Sequence, residues 1–285
     1  MTAKIVIAQH PAHRDDIGDL VTRRPLPGPR VAQVDPFLFL NHHGPQVYPP
    51  NNRGLPFGPH PHRGFETVTF ILEGELAHRD SAGHESIIRA GGVQWMTAGS
   101  GLIHAEVSPE SFLRAGGPLE ILQLWVNLPA RLKMTPPKYV GVQADAIPVL
   151  PAGEAGQVRL ISGSWGGATG PINSLTDVFM TVIDLEAGGR VGFGSLSGRS
   201  VFLYVVKGEV RVNGAVVSEW RLVELDLPGD TVEISAHGAA QLVFGHAQPI
   251  GEPVVAHGPF VMNTREEIVE AIRDYQAGLF DNVSA

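Results

Sequence analysis

The stretch "HPHRGFETVTFILEGEL", residues 60–76, decides how the rest of the chain is read. From Phe65 onward it alternates as a strand does. Glu66, Val68, Phe70 and Leu72 share one face, and Phe65, Thr67, Thr69 and Ile71 share the other. The turn signal Glu73-Gly74-Glu75 closes the run. Just before it, His60 and His62 stand at i and i+2, a spacing that sets two strand side chains on one side, roughly 6.5–7 Å apart. Carried through to Glu66, the same alternation places that carboxylate on the histidine face. It also sends Phe65 to the outside of a barrel.

The same grammar fills the chain. Turns follow at Ser81-Ala82-Gly83 and Gly91-Gly92, and in the second half at Lys207-Gly208, Asn213-Gly214 and Pro228-Gly229-Asp230. "FILEGEL" (70–76) resembles "YVVKGEV" (204–210), an offset of 134, and "AGGVQWMTAG" (90–99) resembles "LPGDTVEISA" (227–236), an offset of 137. Two matches at nearly one offset point to a duplicated β-domain. With 34 glycines and 23 prolines among 285 residues, many short strands and turns are expected, as in a sandwich or jelly-roll barrel. The expected fold is therefore all-β: two tandem jelly-roll barrels over 1–145 and 146–285, with a Pro/Gly-rich linker near 146–156. One segment departs from it. "NTREEIVEAIRDYQAGLF" (263–280) sets Ile268, Ala271, Ile272 and Tyr275 at helical spacing. Thr264 with Glu267 makes a capping box, and Gly278 makes a stop. A short C-terminal helix is expected there, packed on a domain surface.

Composition excludes several classes. A net charge of −8 and no Lys/Arg run beyond pairs such as Arg23-Arg24 argue against direct nucleic-acid binding. No apolar stretch approaches about 18 residues, so no membrane span is expected. The opening "MTAKIVIAQHPAHRDD" lacks the pattern of a signal peptide, and cysteine is absent. A cytoplasmic location is expected, and any metal must be held by imidazole and carboxylate.

Such ligands are present. In "GSGLIHAEV" (99–107), His104 and Glu106 again stand at i and i+2, with Leu102 before them on that face. Two adjacent strands then offer His60, His62, His104 and Glu106 to one interior point. Three imidazoles and a carboxylate suit a borderline divalent ion such as Fe(II), Ni(II), Co(II), Cu(II) or Zn(II). On an octahedral ion two positions stay open for chemistry, whereas on a tetrahedral ion the shell is full and the site structural. Glu66 can be read as a ligand in place of Glu106, as an acceptor orienting a histidine, or as an ion-pair partner. An isolated H-x-H is a weak signal. H-x-H, hairpin, Gly-rich turn and H-x-E together are a specific one.

These motifs carry a resemblance. "HPHRGFETVTFILEGELAHRDSAG", "GGVQWMTAGSGLIHAE", "ILQLWVNLPARLKMTPPKY" (121–139) and "GPFVMNTREEI" (258–268) resemble the pirin family of the cupin superfamily. The likeness is dense from about 35 to 140 and from 250 to 280. It implies two cupin barrels with one divalent metal in the first, Fe(II) before Ni, Co, Cu, Mn or Zn, held by His60, His62, His104 and Glu106. Glu66 then stands outside the ligand set. At the repeat offsets the ligands fall on Gly194, Leu196, Gln241 and Val243, so the second barrel is expected to be metal-free.

The resemblance also implies an activity. Bacterial pirins include enzymes with quercetin 2,3-dioxygenase activity, which open a flavonol with O₂ and release CO. Glu106 is then the proton acceptor, with Glu66 as the alternative. An interior lined by Val68, Phe70 and Leu102 would suit a small aromatic substrate. The competing class is a regulatory protein whose metal and redox state govern binding to a protein partner, as in eukaryotic pirins. The remaining signals read as structural: His42 and His43 as turn residues, His78 as a satisfied core histidine, His237, His246 and His257 as surface, and Trp95, Met96 and Trp125 as core.

Overall fold

The computed structural model describes residues 2–281. Strands dominate, with two α-helices among the described residues, Glu110–Ala115 and Arg265–Gln276. The chain divides into two compact units, each assembled from several stretches. One unit takes Arg14–Arg23, Phe39–Ala144 and the described residues from Ile250 on, while the other takes the residues up to His13, Arg24–Leu38 and Asp145–Pro249. A single cut between residues 145 and 146 does not describe this division. Backbone pairing is the reason at one end, where Val6–Pro11 adds to a second-half sheet by pairing antiparallel with Arg221–Leu225. Packing is the reason at the other, where Phe260, Met262, Ile268, Ala271 and Phe280 form one cluster with Ile103. The C-terminal helix thus belongs with the histidine-bearing unit.

Both units follow one plan, a seven-stranded and a four-stranded antiparallel sheet sharing a core. Around the histidines, the four-stranded sheet runs in the order Phe57–His62, Leu102–Val107, Glu75–Asp80, Glu85–Arg89. In the other unit the order is Arg190–Phe193, Val232–Ala236, Glu209–Val212, Ala215–Ser218. The strands starting at Glu75 and Glu209 hold the same place in their sheets, as the repeat offset implies. The strand pairing corrects the counterparts of the ligand positions, however. His104 faces His60 across one strand pair, and Ile234 faces Val191 across the equivalent pair. Leu102 faces His62 where Val232 faces Phe193. Val191, Phe193 and Ile234 lie in a close-packed apolar core with Phe179 and Phe244. The second barrel is filled by side chains where the first presents imidazoles.

One turn overturns the alternation counted from His62 to Glu66. Gly64 adopts φ +89°, and the chain steps there from the four-stranded to the seven-stranded sheet. A Cβ at Gly64 would collide with the Val261 carbonyl oxygen. Beyond the turn, Thr69 reaches Glu106 while Glu66 pairs beside Thr97 on the other face. Glu66, Val68 and Phe70 therefore point away from the histidines. Phe65 packs on the His62 ring with centroids 4.9 Å apart, inside rather than outside. Gly64→Ala is expected to cost about 3 kcal/mol or more in a urea denaturation series, since both the left-handed φ and the collision oppose it. A loss under about 1 kcal/mol would contradict this packing.

The C-terminal helix starts as its sequence predicts. Thr264 accepts from the Glu267 backbone N–H, and the Glu267 carboxylate accepts from the Thr264 backbone N–H. Ile268 and Ala271 are buried, and Gly278 follows the last turn at φ +75°.

Candidate metal centre

The site is built where Phe57–His62 pairs with Leu102–Val107. Antiparallel register sets His104 opposite His60, and His62, opposite Leu102, reaches inward two pairs further on. One nitrogen from each of His60, His62 and His104 lies within 4.8 Å of the other two. Ring centroids stand 4.4 Å apart for His60–His104, 4.8 Å for His60–His62 and 5.0 Å for His62–His104. His62 and His104 are buried and His60 is half-buried.

Hydrogen bonds aim two of the rings. His60 Nδ1 lies 2.8 Å from the Gly58 carbonyl oxygen and His62 Nδ1 lies 3.2 Å from that of Pro259. A carbonyl only accepts, so both Nδ1 atoms carry the proton and both Nε2 lone pairs are left free. His62 Nε2 and both nitrogens of His104 are buried without a hydrogen-bond partner. Burial, and then the neighbouring His60, push the His62 imidazole down to about 3. Burial and the surrounding histidines also hold His104 well below the usual range. Both rings are neutral at physiological pH. Buried, unpartnered imidazole nitrogens on His62 and His104, converging with His60, are costly alone and are satisfied by a cation. The residues present thus fit a metal ion.

Glu106 stands beside this cluster rather than within it. The ladder with Phe57–His62 shifts register between His104 and Glu106, while the ladder with Glu75–Asp80 runs on unbroken, so Glu106 lies opposite Phe57 on one side and His78 on the other. Its carboxylate accepts from Thr69 Oγ1 at 2.9 Å and from the Gln123 side-chain amide. Neither Thr69 nor Gln123 stands out in the sequence. Once Glu106 is placed inside, strand parity finds Thr69. Gln123 comes from a strand whose pairing with Phe65–Glu73 puts it opposite Thr69.

Glu66 is a separate feature. Thr97 Oγ1 donates to it at 2.7 Å, and burial pushes its carboxyl up to about 7. Between the unfolded value and about 7, the folded chain keeps a proton that the unfolded chain has released. Stability therefore falls as pH rises through that window. Glu66→Gln is expected to remove that fall. The stability gap between variant and parent should widen by about 2–3 kcal/mol between about pH 5 and about pH 8, measured by urea denaturation. Bound metal should be retained, because Glu66 faces away from the histidines.

Other side chains also differ from their sequence reading. His42 and His43 lie buried within the strand Phe37–Tyr48, not in a turn. His42 pairs with Glu120 at 2.8 Å, and His43 meets Thr22 Oγ1 at 2.8 Å and packs on Phe57. Trp125 is half-buried beside His62, with ring centroids 5.4 Å apart, and stacks on Phe39 at 4.6 Å. It is a wall of the site as well as a packing residue. His78 is structural as expected, bonded to Asp80 at 3.0 Å and stacked on Tyr139 at 3.9 Å. His246 is not a loose surface residue: it stacks on Phe179 at 4.7 Å and accepts from Arg199 at 2.7 Å.

Jelly-roll barrels in tandem, the first presenting three inward imidazoles from two paired strands, define a protein of the cupin class. The Pirin family model matches residues 19–126, and that of the Pirin C-terminal cupin domain matches residues 180–281. The chain belongs to the pirin family. It is 41% identical over 268 residues to a pirin-like protein of Caulobacter vibrioides, covering 93% of this chain and 94% of that one. It is 40% identical over 248 residues to a Pseudomonas aeruginosa protein provisionally named a quercetin 2,3-dioxygenase, covering 87% of each. The crystal structure of quercetin 2,3-dioxygenase from Acinetobacter baumannii superposes with a TM-score of 0.92 at 34% identity, covering 98% of this chain and 99% of that one.

Proposed function

We propose that this protein is a metal-dependent dioxygenase of pirin type, opening flavonols such as quercetin with O₂ and releasing CO. The observation that carries the reading is the trio of inward imidazoles, two of them with unpartnered buried nitrogens, and a hydrogen-bonded carboxylate alongside. Likeness to the Acinetobacter enzyme supports the choice of substrate. His60, His62 and His104 hold the ion, Fe(II) before Ni, Co, Cu, Mn or Zn, and Glu106 completes the ligand set. When bound, such an ion supplies Lewis acidity toward a chelating hydroxyl and redox contact with dioxygen.

The protein's own groups do the rest. Glu106 takes the proton from the substrate hydroxyl, and Thr69 and Gln123 keep its oxygens aimed. Trp125, half-buried beside His62, and Phe39, stacked on it, suit a flat aromatic molecule. No described helix is long and apolar enough to cross a membrane, and the cytoplasm is proposed as the working compartment.

Elemental analysis of the purified protein, followed by oxygen uptake with quercetin, tests the reading. Stoichiometric metal and quercetin-dependent uptake with CO release are expected. Bound metal without uptake would favour the regulatory role with a protein partner instead.

A further inference from the structure

We propose that the C-terminal segment, residues 259–280, is a working part of the histidine centre, and that Asp274 is a positioning residue acting on His62 through Arg63. The inference rests on the reading of the three histidines as metal ligands. A set of contacts, all within one unit, converges on the turn that carries His62. The Pro259 carbonyl meets His62 Nδ1 at 3.2 Å. The Val261 backbone N–H donates to the Arg63 carbonyl at 3.0 Å. Lys133 Nζ, itself buried, ties the Gly64 and Val261 carbonyls together at 2.9 and 3.0 Å. Arg63 donates to Asp274 at 2.8 Å, and its guanidinium lies 4.7 Å over the Phe280 ring.

The turn leading to His104 rests on the same segment. Arg63 Nε donates to the Ser100 carbonyl at 2.7 Å, and a Cβ at Gly101 would meet the Phe280 ring at 2.5 Å. Both histidine-bearing strands are therefore seated on residues some 180 to 220 positions away in the chain.

Arg63 is 4% exposed. A guanidinium that deep is tolerated because Asp274 and Ser100 meet it, and removing one partner leaves a buried charge uncompensated. The side chain then draws toward water. Because Arg63 follows His62 directly and its carbonyl holds Val261, that movement shifts the Pro259 carbonyl from His62 Nδ1. The ring loses the bond that fixes its tautomer and its aim.

The test uses the full-length protein. Metal-free protein is titrated with Ni(II), and the Nδ1–H signal of His62 is followed by NMR before metal is added. Asp274→Asn is expected to weaken Ni(II) binding about 10- to 100-fold and to shift or broaden that signal. Asp274→Glu is expected to restore most of both. Glu270→Ala, on the exposed face of the same helix, is expected to change neither, which separates positioning from helix stability. Phe280→Leu keeps the ion pair, removes the ring beneath the guanidinium, and is expected to show a smaller loss of the same kind. Parental affinity and an unshifted signal in Asp274→Asn would overturn the proposal. If Asp274→Asn does not fold, the same result in Phe280→Leu overturns it. If the parent binds no metal, the reading of the ligands fails, while the NMR signal of the metal-free protein still tests the positioning.

Discussion

Replacing His104 by alanine is expected to leave a folded protein that no longer holds its metal. His104 is the innermost of the three imidazoles, and neither of its nitrogens has another partner. Losing groups that merely orient a ligand costs about 10- to 100-fold in metal affinity, so losing a ligand itself should exceed about 100-fold. The effect on the metal-free fold is smaller and has two opposed parts. The substitution opens a small cavity, but it also removes two buried nitrogens that make no hydrogen bond, so the net change should stay within about 2 kcal/mol. Metal content after dialysis, read against a urea denaturation curve of the same sample, separates these effects. Full metal occupancy in His104→Ala would refute the assignment, and a parallel loss in His60→Ala would extend it.

Glu106→Gln is expected to separate binding from chemistry. Glutamine keeps the shape and can still accept from Thr69, so the three histidines should retain an ion, though more weakly. Its amide cannot take up a proton at neutral pH. Oxygen uptake with quercetin should therefore fall by about 10²- to 10⁴-fold, the usual range for losing a positioned base. Comparing activity per bound metal in parent and variant makes the distinction. Activity per metal within about threefold of the parent would move the base elsewhere. Glu66 does not inherit the role, because it sits on the far face of its strand beside Thr97.

Much of the centre is legible in the residues alone. Within an unbroken strand, alternation is a local steric fact, so His60 with His62, and His104 before Glu106, could be paired by counting. Capping at Thr264 and Glu267 is local in the same sense, and it appears in the structure as the sequence predicts. Counting fails at Gly64. A left-handed residue between two sheets reverses the parity, so Glu66 and Phe65 exchange the places that simple alternation assigns to them. The repeat offset misleads for a related reason. Turn lengths differ between the two barrels, and strand pairing rather than a constant offset sets His60 and His104 against Val191 and Ile234.

Local pattern is enough to read a strand-rich, duplicated chain and to pair His60 with His62 and His104 with Glu106. Hydrophobic alternation, turn residues and i, i+2 spacing are all properties of neighbours along the chain. Only the tertiary structure decided which carboxylate stands beside the cluster, what holds it there, and what aims the rings. Thr69 and Gln123 reach Glu106 from other strands, and Pro259 and Asp274 reach the His62 turn from the far end of the chain. Those contacts depend on how distant strands pair and pack, and no local pattern of residues encodes them.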